Sequence, residues 1–191
     1  FRGVVCTHRV GCNILFIYVD GWWRTDIFKG ELDFMNYQKI TPISIADGIG
    51  CRVVLWVSGC EHNCYNCHNP DTHDPTSGYL FDEDAETRLF DLLKPSYISG
   101  LTFSGGDPLH PLNRAEVTRL ARRLKAEMPE KTIWLYTGYI YEEICGLEVL
   151  RFVDALVDGP YIESQRCVGK FYGSTNQRII ALNTTPLMEG E

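Results

Sequence analysis

The stretch CEHNCYNCHNP, residues 60–70, contains three cysteines in the spacing C-x3-C-x2-C: Cys60, Cys64 and Cys67. Thiolates bind zinc and iron–sulfur clusters, so this spacing indicates a metal centre of one of these two kinds. A structural zinc site has four protein ligands, and His62 or His68 is available as the fourth. All four ligands would then lie within nine residues, which leaves little chain to surround a tetrahedral ion.

A 4Fe-4S cluster of the ferredoxin type also needs four thiolates, and no second pair of cysteines lies beside these three. Cys51 is nine residues upstream of Cys60, within a predicted strand, where we expect a thiol buried in the core. If only three thiolates bind a cluster, one iron keeps an open coordination position, and such a position is where a metal site binds a substrate. A closed zinc site and a cluster with one open iron are therefore the two alternatives.

A second stretch that suits ligand binding is SGGDP, residues 104–108. Its two glycines let the backbone come close to a ligand, and Asp107 can face a positively charged ammonium group. By itself, SGGDP is more typical of a turn before a helix. Because it ends the strand that follows the cysteine stretch, the two motifs together favour a binding site.

The segments around these motifs alternate between strand and helix patterns from Met35 onward. The predicted strands are 51–59, 100–106, 132–138 and 153–161, and the predicted helices are 81–94, 113–128 and a short one near 141–145. Asp82 is placed to cap the first helix, and Asn113 with Glu116 fits a capping box on the second. This order predicts parallel strands joined by right-handed crossovers, with ligands at the carboxyl ends of the strands. We therefore expect an α/β fold, a partial (open) TIM-like β/α barrel with parallel strands and one site on its rim.

Composition is ordinary for a globular domain, with 45% hydrophobic and 23% charged residues among 191. The net charge of −7 gives no electrostatic footprint for nucleic acid. The longest apolar run, 14–19, has the length of a strand and is far shorter than the roughly 18 to 20 residues that span a membrane. The eight cysteines are spaced too unevenly for a disulfide scaffold, so we expect a reducing cytoplasm. Residues 1–34 carry no recognisable motif, and we expect an N-terminal extension of unknown role or a translated region ahead of the true start.

The cysteine spacing at the end of the first predicted barrel strand, combined with SGGDP, resembles the radical S-adenosylmethionine superfamily. In that family, S-adenosylmethionine occupies the open iron, and the reduced cluster cleaves it to a 5′-deoxyadenosyl radical. The resemblance implies that a 4Fe-4S cluster is held by Cys60, Cys64 and Cys67. It also implies a set of contacts to S-adenosylmethionine: Asn66, Cys67, His68, Ser104, Gly105, Gly106 and Asp107. Asn66 departs from the family, in which this position often holds an aromatic residue or a glycine.

Further segments are similar, more specifically, to the activases of anaerobic (class III) ribonucleotide reductases. They are GIGCRVVLWVSGC, CHNP, SGGDPLHPLNR, and the pair VDALVDGPYIES and GSTNQRII. The resemblance covers about residues 35–183, and it implies a radical S-adenosylmethionine activase domain at 35–191. The implied reaction removes a hydrogen atom from a glycine in the large subunit of the reductase and leaves a glycyl radical there. An electron donor such as flavodoxin is implied, and no side chain is expected to act as a catalytic acid or base.

Two other kinds of protein are alternatives. One is a different small radical enzyme, such as the activase of pyruvate formate-lyase or a modified-base synthase. The other is a non-catalytic zinc or iron–sulfur module.

Several polar and aromatic residues have ordinary structural explanations. Loop or surface positions are expected for His73, Asp74 and His110. Core or rim positions are expected for Trp134, Tyr136 and Tyr139, and Tyr136 and Thr137 are placed to line a cavity at the end of their strand. A solvated helix face is expected for Arg119, Arg122, Arg123 and Lys125.

Overall fold

The structure is a computed structural model that describes residues 14–19, 22–27 and 35–183. The chain divides into two compact units, Phe1–Asp33 and Phe34–Glu191. Within the first unit, strand β1 (Ile14–Val19) pairs antiparallel with strand β2 (Trp22–Ile27). The strand length expected for residues 14–19 is confirmed.

A seven-stranded sheet forms the centre of the second unit. Its strands are β3 (Asn36–Ser44), β4 (Cys51–Val57), β5 (Tyr79–Leu80), β6 (Ile98–Gly105), β7 (Thr132–Tyr136), β8 (Ala155–Asp158) and β9 (Arg178–Ala181). The order across the sheet is β5-β3-β4-β6-β7-β8-β9. Strands β4, β6, β7 and β8 are parallel neighbours, whereas β3, β5 and β9 pair antiparallel toward the edges. The protein therefore has a mixed α/β fold, and its sheet is open.

The sequence patterns predict the four parallel strands but miss the three antiparallel ones. Strand β3 contains Pro42, which lacks an N–H group, and its register with β4 shifts between Thr41 and Ser44. Strand β5 has only two residues, so it shows no alternation that a pattern could reveal. Closure into a TIM-like barrel is not confirmed, because β5 and β9 are the two edges of the sheet.

Helices α1 (Glu83–Leu93), α2 (Arg114–Glu127) and α3 (Tyr141–Ile144) confirm the three predicted helices. Asp82 caps α1 as predicted, because its carboxylate accepts a hydrogen bond from the N–H of Ala85 at 2.9 Å. The capping box predicted on α2 is wrong. The side-chain amide of Asn113 instead donates to the carbonyls of Ser58 at 2.8 Å and Asp107 at 2.9 Å. Asn113 thus joins the start of α2 to the residues that follow β4 and β6.

Side chains along the strands alternate between the two faces of the sheet. On one face, Val53, Leu55 and Val57 of β4 belong to the main core, together with buried leucines of α1 and α2. On the other face, Trp134 of β7 forms a smaller cluster with two buried residues of β8. Trp134 is only 2% exposed, so the predicted core position of this tryptophan is confirmed.

Arg52 is fully buried, and its guanidinium lies 5.7 Å from the centre of the Trp134 ring. It donates five hydrogen bonds, to the hydroxyls of Thr102 and Thr132 and to the carbonyls of Ile49, Leu101 and Thr132. An arginine side chain has five N–H groups, so all of its donors are used. Burial lowers the pKa of Arg52 to about 10, which leaves the side chain charged at neutral pH.

The basic residues of α2 form a partly solvated face, as predicted, and they also join α2 to its neighbours. Their ion pairs are Arg119 and Arg123 with Glu86 of α1, Arg122 with Glu148, and Lys125 with Asp154. In the part of the chain that the structure describes, no helix combines the length and the apolar character that a membrane crossing requires.

Candidate functional site

The carboxyl ends of the four parallel strands surround one cavity of about 640 Å³. Cys60 follows β4, Gly105 ends β6, Tyr136 ends β7 and Gly159 follows β8, and all four residues line the cavity. Residues between β8 and β9 form a further part of the cavity wall. The predicted meeting of the strand ends is confirmed, and so is the place of Tyr136 and Thr137 in the cavity lining.

The three cysteines lie on one loop, residues 60–69, which we call the cysteine loop. Their side chains all line the cavity and are partly buried. The N–H of Cys67 donates to the carbonyl of Cys64 at 3.2 Å, which closes a tight turn. Asn66, inside this turn, has a φ of 57°, a backbone conformation that asparagine and glycine adopt more easily than other residues. The turn therefore accounts for an asparagine, rather than an aromatic residue, at this position.

The buried surroundings of the thiols favour their protonated form when no metal is bound. Burial raises the pKa of the Cys60 thiol to about 11, and it also raises the pKa of the Cys64 thiol. Backbone hydrogen bonds act in the opposite direction, one from His62 to Cys60 and one from Tyr161 to Cys64. At the third cysteine, the N–H of Asn69 donates to the sulfur at 3.4 Å. Of the three sulfurs, that of Cys67 thus accepts a backbone hydrogen bond, whereas burial is the main influence on the pKa of the Cys60 and Cys64 thiols.

The chemistry of this set of donors fits an iron–sulfur cluster. Thiolates are the ligands of such clusters, and hydrogen bonds to their sulfurs are among the features that set the reduction potential. Among the side chains that the structure describes, no three His, Cys, Asp or Glu residues are grouped so that they could hold a single metal ion. Both histidines considered as a fourth zinc ligand line the cavity, and the Nε2 of His62 lies 2.7 Å from Asp107.

The two glycines of SGGDP lie where the chain leaving β6 crosses the chain leaving β4. Gly105 has a φ of 111°, and a Cβ there would lie 2.5 Å from the carbonyl oxygen of Val57. A Cβ on Gly106 would lie 2.5 Å from the carbonyl oxygen of Gly59. The N–H of Gly106 donates to Val57 at 2.8 Å, and the N–H of Asp107 donates to Gly59 at 2.7 Å. These glycines, and Ser104 before them, also line the cavity.

Asp107 lies behind the cavity wall and is only 1% exposed. Its carboxylate accepts hydrogen bonds from the Thr137 hydroxyl at 2.9 Å, from the N–H of Gly138 at 3.0 Å and from the N–H of Leu109 at 2.7 Å. His62 is the fourth partner, and the hydrogen bond to Asp107 raises the pKa of this histidine, against the smaller effect of burial. The structure therefore places Asp107 among protein partners. Its expected contact with an ammonium group stays a prediction.

Comparison with known proteins identifies the family of the chain. Residues 46–180 match the family model described as a 4Fe-4S single cluster domain. An anaerobic ribonucleoside-triphosphate reductase-activating protein of Enterobacteria phage T4 is 46% identical over 145 residues, which are 76% of this chain and 93% of the phage protein. Proteins of the same description from Vibrio cholerae and Escherichia coli K12 are 41% and 37% identical, and the alignments cover 97% and 96% of those proteins. The chain belongs to the family of anaerobic ribonucleoside-triphosphate reductase-activating proteins.

Membership in this family confirms the resemblance inferred from the motifs, and the match to a 4Fe-4S domain confirms the class of cofactor. The matched residues 46–180 include the whole cavity lining, from Asp47 to Gln177. Neither the pyruvate formate-lyase activase nor the zinc module is favoured by these relatives.

Sequence reasoning missed the loop between β8 and β9 as part of the site, although the segments VDALVDGPYIES and GSTNQRII carry part of the family resemblance. Tyr161, Glu163 and Arg166 of this loop line the cavity. The Tyr161 hydroxyl donates to the Glu163 carboxylate, and this bond is the main reason why the pKa of Glu163 is lowered. A smaller contribution comes from the side chain of Asn66 in the cysteine loop. The loop thus contacts the residues around the cysteines.

The three residues expected in loops or on the surface all lie in loops. His110 is nevertheless buried, with only 7% of its surface exposed. Its Nδ1 accepts a hydrogen bond from the N–H of Leu112 at 3.3 Å, and its Nε2 is 3.7 Å from Glu61 of the cysteine loop. Asp74 is exposed as expected, and His73 is partly buried.

Proposed function

We propose that this protein activates an anaerobic ribonucleotide reductase by generating a glycyl radical in the reductase large subunit. The observation that carries the proposal is the convergence of Cys60, Cys64 and Cys67 on one cavity, in a chain with a 4Fe-4S single cluster domain. The description of the relatives as reductase-activating proteins supports the same partner. We assign the activity to residues 35–191, as an activase domain with the partial barrel of radical S-adenosylmethionine enzymes.

The cysteine loop would hold the cluster through Cys60, Cys64 and Cys67. Iron binds the thiolate form of cysteine, and a hydrogen bond such as that from the N–H of Asn69 to the Cys67 sulfur is one of the features that set the reduction potential of a cluster. With S-adenosylmethionine bound and an electron supplied, such a cluster provides a 5′-deoxyadenosyl radical, which takes a hydrogen atom from the reductase glycine. The side chains need no acid or base function for this step, since their work is to bind, orient and exclude water.

Six of the seven residues expected to contact S-adenosylmethionine line the cavity: Asn66, Cys67, His68, Ser104, Gly105 and Gly106. The cavity volume of about 640 Å³ lies in the range that suits a ligand of this size. Asp107, the seventh residue, stands behind Gly106 and supports the wall. The backbone of the two glycines can approach a ligand closely, since neither carries a side chain.

Aromatic residues and the loop after β8 form part of the cavity wall, where they would help to keep water from a bound radical. Trp56 and Tyr136 line it, and the Tyr136 hydroxyl donates to the carbonyl of Phe171 at 2.8 Å. This bond holds the β8–β9 loop against the end of β7. A shielded site protects a radical from side reactions. We further propose a reducing cytoplasm as the compartment, with an electron donor such as flavodoxin, because the described cysteines are all free thiols.

The test is an electron paramagnetic resonance measurement. Anaerobically reconstituted protein is mixed with S-adenosylmethionine, a reductant and the anaerobic reductase of the same genome. A glycyl-radical doublet that is absent with Cys64→Ala would support the chemistry and the partner. Formation of 5′-deoxyadenosine without a doublet would refute the reductase as the substrate. Absence of both signals, with a full reducible cluster present, would refute the radical chemistry.

A further inference from the structure

His62 lies between two of the cysteines, and its ring is held on two sides. Its Nε2 is 2.7 Å from Oδ2 of Asp107. The ring also packs edge-on against Tyr139, with 4.6 Å between the ring centres, and it touches Gly138 so closely that a Cβ there would clash with it. A side chain of the cysteine loop is thus fixed to the residues that follow β7.

Through Asp107, the contact made by His62 connects the ends of three strands. The N–H of Asp107 itself is bonded to Gly59, which directly precedes the cysteine loop. Its carboxylate accepts from His62 of that loop and from Thr137 and Gly138 after β7. We call Asp107 and its three partners His62, Thr137 and Gly138 the Asp107 network. The network joins the exits of β4, β6 and β7, which are three of the four strand exits whose residues line the cavity.

We propose that His62 is a positioning residue that acts through Asp107. It holds the cysteine loop at a fixed separation from the Ser104–Gly106 wall and from Thr137. The cysteine loop carries the residues that would bind the cluster. The Ser104–Gly106 wall provides the backbone that would approach S-adenosylmethionine. The effect on S-adenosylmethionine binding rests on the proposed function, whereas the connection between the loops does not.

Two substitutions separate the ring of His62 from its hydrogen bond. His62→Phe keeps a ring against Tyr139 and Gly138 but removes the donor to Asp107. His62→Gln keeps an N–H donor of similar reach and removes the ring. Glu61→Gln is the matched control, because Glu61 is the neighbouring residue of the same loop, is 65% exposed and makes only a 3.7 Å contact. An exposed pair of this kind contributes little energy.

The first measurement is the exchange rate of the Gly138 amide hydrogen in the cluster-free protein. This N–H donates to Asp107 from the end of β7, whereas His62 contacts Asp107 from the cysteine loop. We expect His62→Phe to raise the exchange rate by about tenfold to hundredfold, the range for loss of a hydrogen bond to a charged group. His62→Gln should recover most of the protection, and Glu61→Gln should stay within about twofold of the parent protein. An unchanged rate in His62→Phe would overturn the proposal.

The second measurement uses the protein with its cluster, oxidised and without reductant. Iron per chain should be retained in His62→Phe, while the dissociation constant for S-adenosylmethionine, from equilibrium dialysis, should rise by about tenfold or more. Loss of iron to the level of Cys64→Ala would show that His62 acts at the metal, which overturns the positioning role. An unaltered dissociation constant for S-adenosylmethionine in His62→Phe would also overturn the positioning role. Should His62→Phe fail to fold, Thr137→Val removes another bond to Asp107 and should give the same weaker binding with iron retained. Neither measurement needs the reductase, so failure here is distinct from failure of the proposed partner.

Discussion

The Gly106→Ala substitution tests why SGGDP contains a glycine at this position. We expect that the close approach of neighbouring backbone requires it, even when no ligand is bound. An alanine Cβ would lie 2.5 Å from the carbonyl oxygen of Gly59 and 2.8 Å from that of Thr72. Both oxygens already accept backbone hydrogen bonds of 2.7 Å, from Asp107 and from Gly59 itself. The methyl group would therefore press on the two bonds that fix the entrance of the cysteine loop.

The expected destabilisation follows from three contributions. Overlap with backbone atoms cannot be relieved by rotating a side chain, and overpacking of this kind costs about 1–3 kcal/mol. Weakening two backbone hydrogen bonds adds about 1 kcal/mol for each bond that is lost. The reduced freedom of alanine in the unfolded chain offsets about 0.4–1 kcal/mol. Together, these terms predict a loss of about 2–4 kcal/mol in the free energy of unfolding.

The assay is urea unfolding of the cluster-free protein, followed by circular dichroism. Gly146→Ala is the matched control, because Gly146 is exposed and a Cβ there meets no atom within 4 Å. The control should unfold at the same urea concentration as the parent protein or slightly above it. Equal midpoints for Gly106→Ala and Gly146→Ala would refute the argument from close approach.

Three further predictions concern other parts of the chain. Cys64→Ala should remove the iron and the visible absorbance of the reconstituted cluster, whereas Cys145→Ala should retain both; equal loss would mean that the ligand assignment is mistaken. Arg52→Met should lower the free energy of unfolding by about 3–5 kcal/mol, because several buried oxygens lose their donors, and a loss below about 1 kcal/mol would contradict this. Burial raises the pKa of Glu86, but hydrogen bonds from two arginines of α2 outweigh it, so the folded pKa lies below the ordinary value of 4.5. Glu86→Gln should therefore be destabilising at neutral pH, and the difference should vanish as the pH falls through the lowered folded pKa; a difference that persists in acid would contradict the ion pairs.

The chemistry of the site was predictable from sequence because it depends on local spacing. The spacing of Cys60, Cys64 and Cys67 indicates a metal centre, and Asp82 indicates a helix cap because its partner is three positions away. Asn113 shows the limit of such reasoning. It has the right type and place for a cap, but its side chain bonds to Ser58, 55 positions earlier, which no local pattern contains.

The parts that sequence missed depend on contacts between distant segments. The β8–β9 loop lines the cavity because β8 lies beside β7, and Tyr161 and Cys64 share one cavity only in the folded sheet. His110 resembles a surface histidine in a loop with two prolines, yet the chain leaving β4 covers it, since Gly59 lies against its ring. The antiparallel strands β3, β5 and β9 were not predicted, because their pairing, rather than their composition, makes them strands.

The Asp107 network also constrains the order in which the protein matures. His62 is 45 positions and Thr137 30 positions from Asp107, so the network forms only after separate crossover units have packed side by side. Contacts of such long range form late, because the chain must first close the intervening loops. The three thiols therefore reach their final arrangement at the end of folding. Iron delivery is thus expected to act on a chain whose sheet is already complete, because before that stage the cysteine loop is not held against the ends of β6 and β7.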